Sequence, residues 1–237
     1  RLDRFHWNSG GYELMANQSI SYIMSALRVE PKVPTLADYN VVWDSLSINS
    51  LGSMPSGNGD IGINLWVEKN GDLLFYLSKT DAWSENARLL KIGKVRLALS
   101  PNPFVEGNPF LQELIVEDGL IHIEVGEEGN KTDINVWVDA NHPVVEIDVT
   151  SERAISANVT TEPWRTQRRK LEKTKEMHSA YGLLGEGGPE TYVEKDSILT
   201  ENSDDVVWVH RNERSIWKQN LELQSLAEFA NQNQGQD

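Results

Sequence analysis

Four carboxylates fall close together in one stretch of this chain: Asp44, Asp60, Asp81 and Glu85. Hydrolysis of a glycosidic bond takes two carboxyl groups about 5–10 Å apart, one of them kept protonated by burial. The surrounding residue types suit sugar hydroxyls. Asn58 stands between Gly57 and Gly59 and offers both donors and acceptors. Trp83 lies among Asp81, Ser84, Glu85 and Asn86, an aromatic ring in a polar setting. Each carboxylate also has a plainer use. Asp60 follows a glycine turn, where Asp serves the backbone, and Asp81 and Glu85 sit at a strand exit as turn or cap residues. No residue is therefore assigned a catalytic role. Asn58, Asp60, Asp81, Trp83, Glu85 and His210 stand as candidates for contact with a substrate or a neighbouring domain.

Other chemistries find less support. His6, His122, His142, His178 and His210 are scattered, with no His-x-His or His-x-x-x-His pair, and there is no cysteine. No metal and no cofactor are expected. The Gly57–Gly62 run lacks the Lys-Ser/Thr of a phosphate loop and precedes a strand, not a helix. No serine sits in a nucleophile elbow. The net charge is −14, from 22 basic and 36 acidic residues, which argues against nucleic acid and anionic membranes. No apolar run reaches the ~18 residues of a membrane helix. Stacking of sugars on aromatic rings remains, with Trp66, Trp83, Trp137, Trp164, Trp208 and Trp217 as candidate platforms, against the plainer reading of packing between layers or against a neighbouring domain.

The elements that would position these groups read as strands. Ile61, Ile63, Leu65 and Val67 alternate with Gly62, Asn64, Trp66 and Glu68, the period of a half-buried strand. Asn70-Gly71 predicts a two-residue hairpin turn into Leu73, Phe75 and Leu77. Val95, Leu97 and Leu99 continue the pattern. Asp118-Gly119 marks a second hairpin between 111–117 and 120–125. Further strands are expected over 133–138, 143–150, 154–161 and 206–210. Short strands joined by hairpin turns define an antiparallel meander. The 237 residues suit one large β domain with appendages.

Three segments depart from that pattern. Residues 1–38, with helix-like spacing around Ile20, Ile23, Met24 and Leu27 and bounded by Pro31 and Pro34, read as an N-terminal arm packed on the sandwich, with a poorly ordered leader as the alternative. Pro163 to Ser179 is a basic island in an acidic chain, carrying Arg165, Arg168, Arg169, Lys170, Lys173 and Lys175, and reads as a helical insertion. Ser215 to Ala230 reads as a helix with Ser215 as N-cap and Ile216, Leu223, Leu226 and Ala230 on one stripe. The divisions are 1–38, 39–212 for the β-sandwich, and 213–237 for a linker helix.

The stretch Met54-Pro55-Ser56-Gly57-Asn58-Gly59-Asp60-Ile61-Gly62, with the later Ser78-Lys79-Thr80-Asp81-Ala82-Trp83-Ser84-Glu85-Asn86, resembles a family designated domain of unknown function 5703. It is also similar to the N-terminal β-sandwich of glycoside hydrolase family 95, the α-L-fucosidase-like enzymes. The likeness runs from about Tyr39 to about Ala230. It implies a mainly β chain, an antiparallel two-sheet super-sandwich of the galactose-mutarotase-like kind. It implies a bacterial source, many members coming from gut Bacteroidetes, and a periplasmic or extracellular location. Fucosidase-like members carry a basic residue where this chain has Asp60, and Asn-Glu where it has Ser78-Lys79-Thr80, so fucose specificity is not inherited.

In those hydrolases the catalytic groups belong to an (α/α)6 barrel that follows the sandwich. The resemblance therefore implies a non-catalytic front domain that supports such a barrel, with carbohydrate and the barrel as partners. A free-standing carbohydrate-binding module is the alternative, and a self-sufficient hydrolase a third reading. The Gly57-Asn58-Gly59-Asp60 turn is expected on the face that meets the barrel. His210-Arg211-Asn212 is expected to pack at the domain junction.

Overall fold

The computed structural model describes residues 9–27, 33–85, 87–172, 176, 188, 190–201 and 205–230. The chain divides into two compact units, one ending at Tyr39 and the other beginning at Asn40. The first holds the helix α1 (Ser9–Leu27) and a 3-10 turn (Leu36–Tyr39). The turn is fixed by Asp38, whose Oδ2 accepts from the Thr35 amide at 2.7 Å and hydroxyl at 3.0 Å.

The second unit is a two-sheet antiparallel β-sandwich, as expected. Sheet A contains β1 (Val41–Trp43), β6 (Phe110–Ile115), β7 (Leu120–Val125), β8 (Thr132–Val138) and β9 (Val145–Ser151), in that spatial order. Sheet B contains β10 (Ser156–Glu162), β5 (Leu89–Ser100), β4 (Leu73–Trp83), β3 (Ile61–Val67) and β2 (Met54–Gly57). Period-2 alternation puts one side-chain set of each sheet into a common core. Ile63, Leu65, Val67, Leu73, Phe75, Leu97 and Leu99 come from sheet B, and Ile121, Ile123, Val125, Ile134 and Val136 from sheet A. A truncation such as Leu65→Ala would cost about 2–5 kcal/mol at so enclosed a site.

Turn chemistry differs in detail from the two-residue expectation at Asn70-Gly71. The Gly71 amide donates to the Glu68 carbonyl (2.8 Å) and the Glu68 amide to the Asp72 carbonyl (2.9 Å). Gly71 has φ +85°, so the loop is a three-residue one with glycine at the left-handed position. Ser53 to Asp60 is not one long turn either. Met54–Gly57 forms β2, pairing Gly57 with Gly62. Pro55 is tolerated because β2 is an edge strand.

Between 163 and 172 the basic island is not helical, whereas Glu176, also described, is in a helical turn, its amide donating to the Glu172 carbonyl at 2.9 Å. From 163 to 172 it is irregular chain with a two-residue strand, β11 (Arg169–Lys170), paired with β12 (Tyr192–Val193). Lys173, Lys175 and His178 lie outside the described residues. A second small ladder joins β13 (Ser197–Glu201) to β14 (Val206–Val209).

These pieces cover the outer face of sheet B. The Trp164 ring meets Tyr76, and Arg165 donates to the Lys91 and Ile92 carbonyls at 3.3 and 3.1 Å. A Cβ at Gly93 would stand 3.2 Å from the Trp208 ring, so the glycine admits that ring.

The C-terminal helix is shorter than expected. α2 spans Trp217–Leu223, and a separate 3-10 turn covers Ala227–Phe229. Ser225 interrupts them with φ +59°, a conformation that ends helices. The cap position belongs to Ile216, not Ser215. The inward residues are Ile216, Asn220 and Leu221, whereas Leu223 and Leu226 are exposed.

Candidate functional site

The structure brings some of the candidate residues together and separates others. Asp60 and Asp81 flank one cation. Lys79 Nζ lies 2.6 Å from Asp60 Oδ1 and 3.0 Å from Asp81 Oδ2. These bonds, the Asp60 one first, hold the ammonium above its ordinary pKa. Both acids are thus engaged as charge partners on a solvated strand end. Trp83, 51% exposed, donates its indole N–H to the Thr80 carbonyl at 2.7 Å.

Asn58 is fully engaged within the domain. Its Oδ1 accepts from the Asp60 and Ile61 amides, each at 2.9 Å. Its Nδ2 donates to the Asp139 carbonyl at 2.7 Å and the His142 carbonyl at 2.9 Å. Every hydrogen-bonding position of the amide is used. Asn58 therefore ties the β2–β3 turn of sheet B to the β8–β9 loop of sheet A. That loop is itself fixed by Asp139. The Asn141 amide, then the His142 ring, hold its carboxyl below the usual carboxylate range. The left-handed backbone position of the turn belongs to Gly59, at φ +90°.

Glu85 serves as a cap for a distant helix. Its carboxylate accepts from the Ser215 hydroxyl at 2.5 Å and from the Ile216 amide. Its carbonyl accepts from Asn220 Nδ2 at 2.6 Å. The first turn of a helix leaves its amides without partners and carries partial positive charge, so a carboxylate there binds well. Ser215 adds its own part, accepting from the Trp217 amide at 3.2 Å.

His210 belongs to a buried charge cluster. Its Nδ1 lies 2.9 Å from Asp196 Oδ1, which also accepts from Arg165 Nε at 2.6 Å. The Asp196 side chain is 2% exposed and its Oδ2 has no partner. His210 Nε2 faces Asn212 Oδ1 at 3.3 Å. The cluster clips β14 and the chain before β13 to the segment after β10.

Beside it a groove of about 450 Å³ opens, lined by Tyr76, Arg88, Lys91, Trp164, Arg165, Tyr192 and His210 among others. Of the six tryptophans offered as platforms, Trp66 is excluded by burial at 2% exposure. It packs 4.9 Å from Tyr76 with its N–H toward Glu68 at 3.3 Å. Trp164 is 43% exposed on the far side of Tyr76.

Among the described residues one group has metal-ligand spacing: His122, Glu124 and Asp133 on the outer face of sheet A. Lys131 Nζ already lies 2.8 Å from Glu124 and 3.7 Å from Asp133. The acids thus have a cation already, and His122 meets Asn135 through Nδ1 at 2.8 Å and faces Asp133 through Nε2 at 3.7 Å.

Lys91, Asp196 and Asn220 escaped sequence reasoning. Lys91 and Asp196 carry no local pattern, and Asn220 hides in an amphipathic run. Arg165 was visible only as one cation of the basic island.

Residues 42–235 match the family described as a domain of unknown function (DUF5703). The match covers most of the chain and both sheets, so this protein belongs to that family. None of the curated proteins searched matches it. No helix among the described residues is long and apolar enough to cross a membrane.

Proposed function

We propose that this protein is the front β-sandwich of a bacterial glycoside hydrolase, periplasmic or extracellular, that supports a catalytic (α/α)6 barrel without performing the chemistry itself. Family membership supports the front-domain part, since the matching family carries the label DUF5703_N, for an N-terminal unit. The observation that carries the reading is the C-terminal segment. Glu85 and Asn220 clamp α2 to the end of β4, while Trp217, Leu223, Leu226 and Phe229 remain exposed. A short helix held on one side and apolar on the other suits a junction with a following domain. The engaged state of Asp60, Asp81 and Glu85 also suits a supporting role.

The gene downstream of Asp237 gives the first test, and a stop codon with no barrel-encoding gene nearby would sink the reading. The second is Glu85→Gln. It should weaken the α2 cap by about 1–2 kcal/mol, seen as faster hydrogen exchange over residues 217–223. In the barrel-bearing protein it should also lower turnover. Glycoside turnover by the 237-residue chain alone would refute the non-catalytic part.

A carbohydrate-binding role has its own support, the groove beside Trp164. An exposed ring backed by packed aromatics, with polar groups around it, has the make-up of a small-molecule site.

A further inference from the structure

We infer that the Trp164–Lys91 groove is a subsite for a sugar unit bearing an anionic group, a carboxylate or a sulfate. The inference rests on the carbohydrate-binding reading and names its ligand class. It starts from a row of three rings. Trp66 is buried, Tyr76 lies over it at 4.9 Å with planes at 59°, and Trp164 follows at 5.3 Å and 55°. The buried end holds the exposed end in place. A ring held this way loses little conformational freedom when a ligand lands on it.

Charge then selects the ligand. Arg165 is paired with Asp196 at 2.6 Å, Arg169 with Glu176 at 2.8 Å and Arg88 with Glu176 at 3.2 Å. Among the described Lys and Arg side chains of the groove, Lys91 alone has no carboxylate partner. Its Nζ sits 4.1 Å from the centre of the Tyr76 ring. A lysine that finds no acid in a chain of net charge −14 is a local exception. Lys91 and Trp164 contact the same tyrosine, so one sugar ring can lie against the indole while its anionic group meets the ammonium. Asn212 lines the same groove, its Oδ1 facing His210, which leaves an amide donor for a hydroxyl. The volume, about 450 Å³, is in the usual range for small-molecule sites.

The test is calorimetric titration of the 237-residue chain with trigalacturonate, a sulfated galactan trisaccharide and neutral galactotriose. At least one anionic ligand should bind tenfold or more tighter than galactotriose, and comparison of the two identifies the preferred group. Lys91→Met should remove that tenfold preference and leave neutral binding unchanged. Trp164→Ala should abolish binding of all three. Because the Lys91 side chain makes only a ring contact, and its carbonyl bond to Arg165 survives the substitution, K91M should melt with the parent chain. Equal binding of anionic and neutral sugars, or an unaltered preference in K91M, overturns the anionic assignment and leaves carbohydrate binding standing. Absence of binding by all three overturns the subsite altogether, and leaves the barrel-supporting reading to its own test at Glu85.

Discussion

The outer faces of the two sheets have opposite fates. Sheet A turns Glu113, His122, Glu124, Asp133, Asn135, Glu146 and Asp148 outward, and none of them is fully buried. Sheet B turns Trp66, Leu74 and Tyr76 outward, and Leu74 and Trp66 are nonetheless buried. The difference lies in the chain after Glu162. Trp164, Arg165, Trp208 and the Glu85-capped helix all settle on sheet B or its margin. A strand apolar on both faces needs cover on both, and an antiparallel sandwich supplies only one. Sheet B therefore gains a third layer, and with it a groove. Among the described residues, sheet A shows no such layer.

Removing the fastener of that layer should produce the largest effect. Arg165→Met would leave the buried Asp196 carboxylate without its arginine and facing only His210, a loss of about 3–5 kcal/mol for a broken buried pair. Urea unfolding would measure it. A loss below 1 kcal/mol would mean that the layer lies loosely on sheet B, and the contrast between the faces would fail.

Asn58 tests the place where the two sheets are tied together. Asn58→Ala and Asn58→Gly should each cost about 2 kcal/mol, since both abandon the same four hydrogen bonds. Thermal melts of the two variants should nearly coincide. If the Gly variant matched the parent, the amide would be dispensable and the turn would hold itself.

The smallest effect concerns acid. On sheet B, hydrogen bonding to Arg96, then to Lys94, lowers the pKa of Glu162 from its usual 4.5. A depressed carboxylate adds stability above its unfolded pKa, and that contribution disappears as pH falls through the folded value. Glu162→Gln should flatten the fall in stability below about pH 4.5, with a change under about 1 kcal/mol at neutral pH. The matched change on sheet A, Asp148→Asn, should stay within about 0.5 kcal/mol throughout. Chemical unfolding between pH 3 and 7 separates the two. Equal acid limbs in both variants would erase the electrostatic side of the contrast.

The parts legible in the sequence were those with long alternation. Ile61 to Leu77 announces β3 and β4 because one face is uniformly apolar. β2 was hidden by Pro55 and Gly57, poor strand formers that an edge position tolerates. Trp66 could be placed on the outer face, but not seen as buried, because the ring row that continues from it through Tyr76 ends in Trp164, about a hundred residues later in irregular chain without periodicity. The candidate site was legible as residue types and illegible as roles. Glu85 reads as a turn residue, and its partner lies 131 positions away. Asn58 reads as a turn amide, and half its bonds go to residues 139 and 142.

The strand order also sets a timetable. Sheet B is nearly complete once β5 has been made, yet its last edge strand, β10, pairs with β5 only after all of β6 to β9 has intervened. A nascent chain halted at Ser151 leaves the β5 edge bare, with alternate amides and carbonyls of residues 94–100 unpaired while sheet A is already laid down. Glu85 waits longer still, until residue 216 has left the ribosome. The domain is thus closed from its carboxyl end, and the β4–β5 turn that carries Glu85 is sealed long after the β2–β3 hairpin.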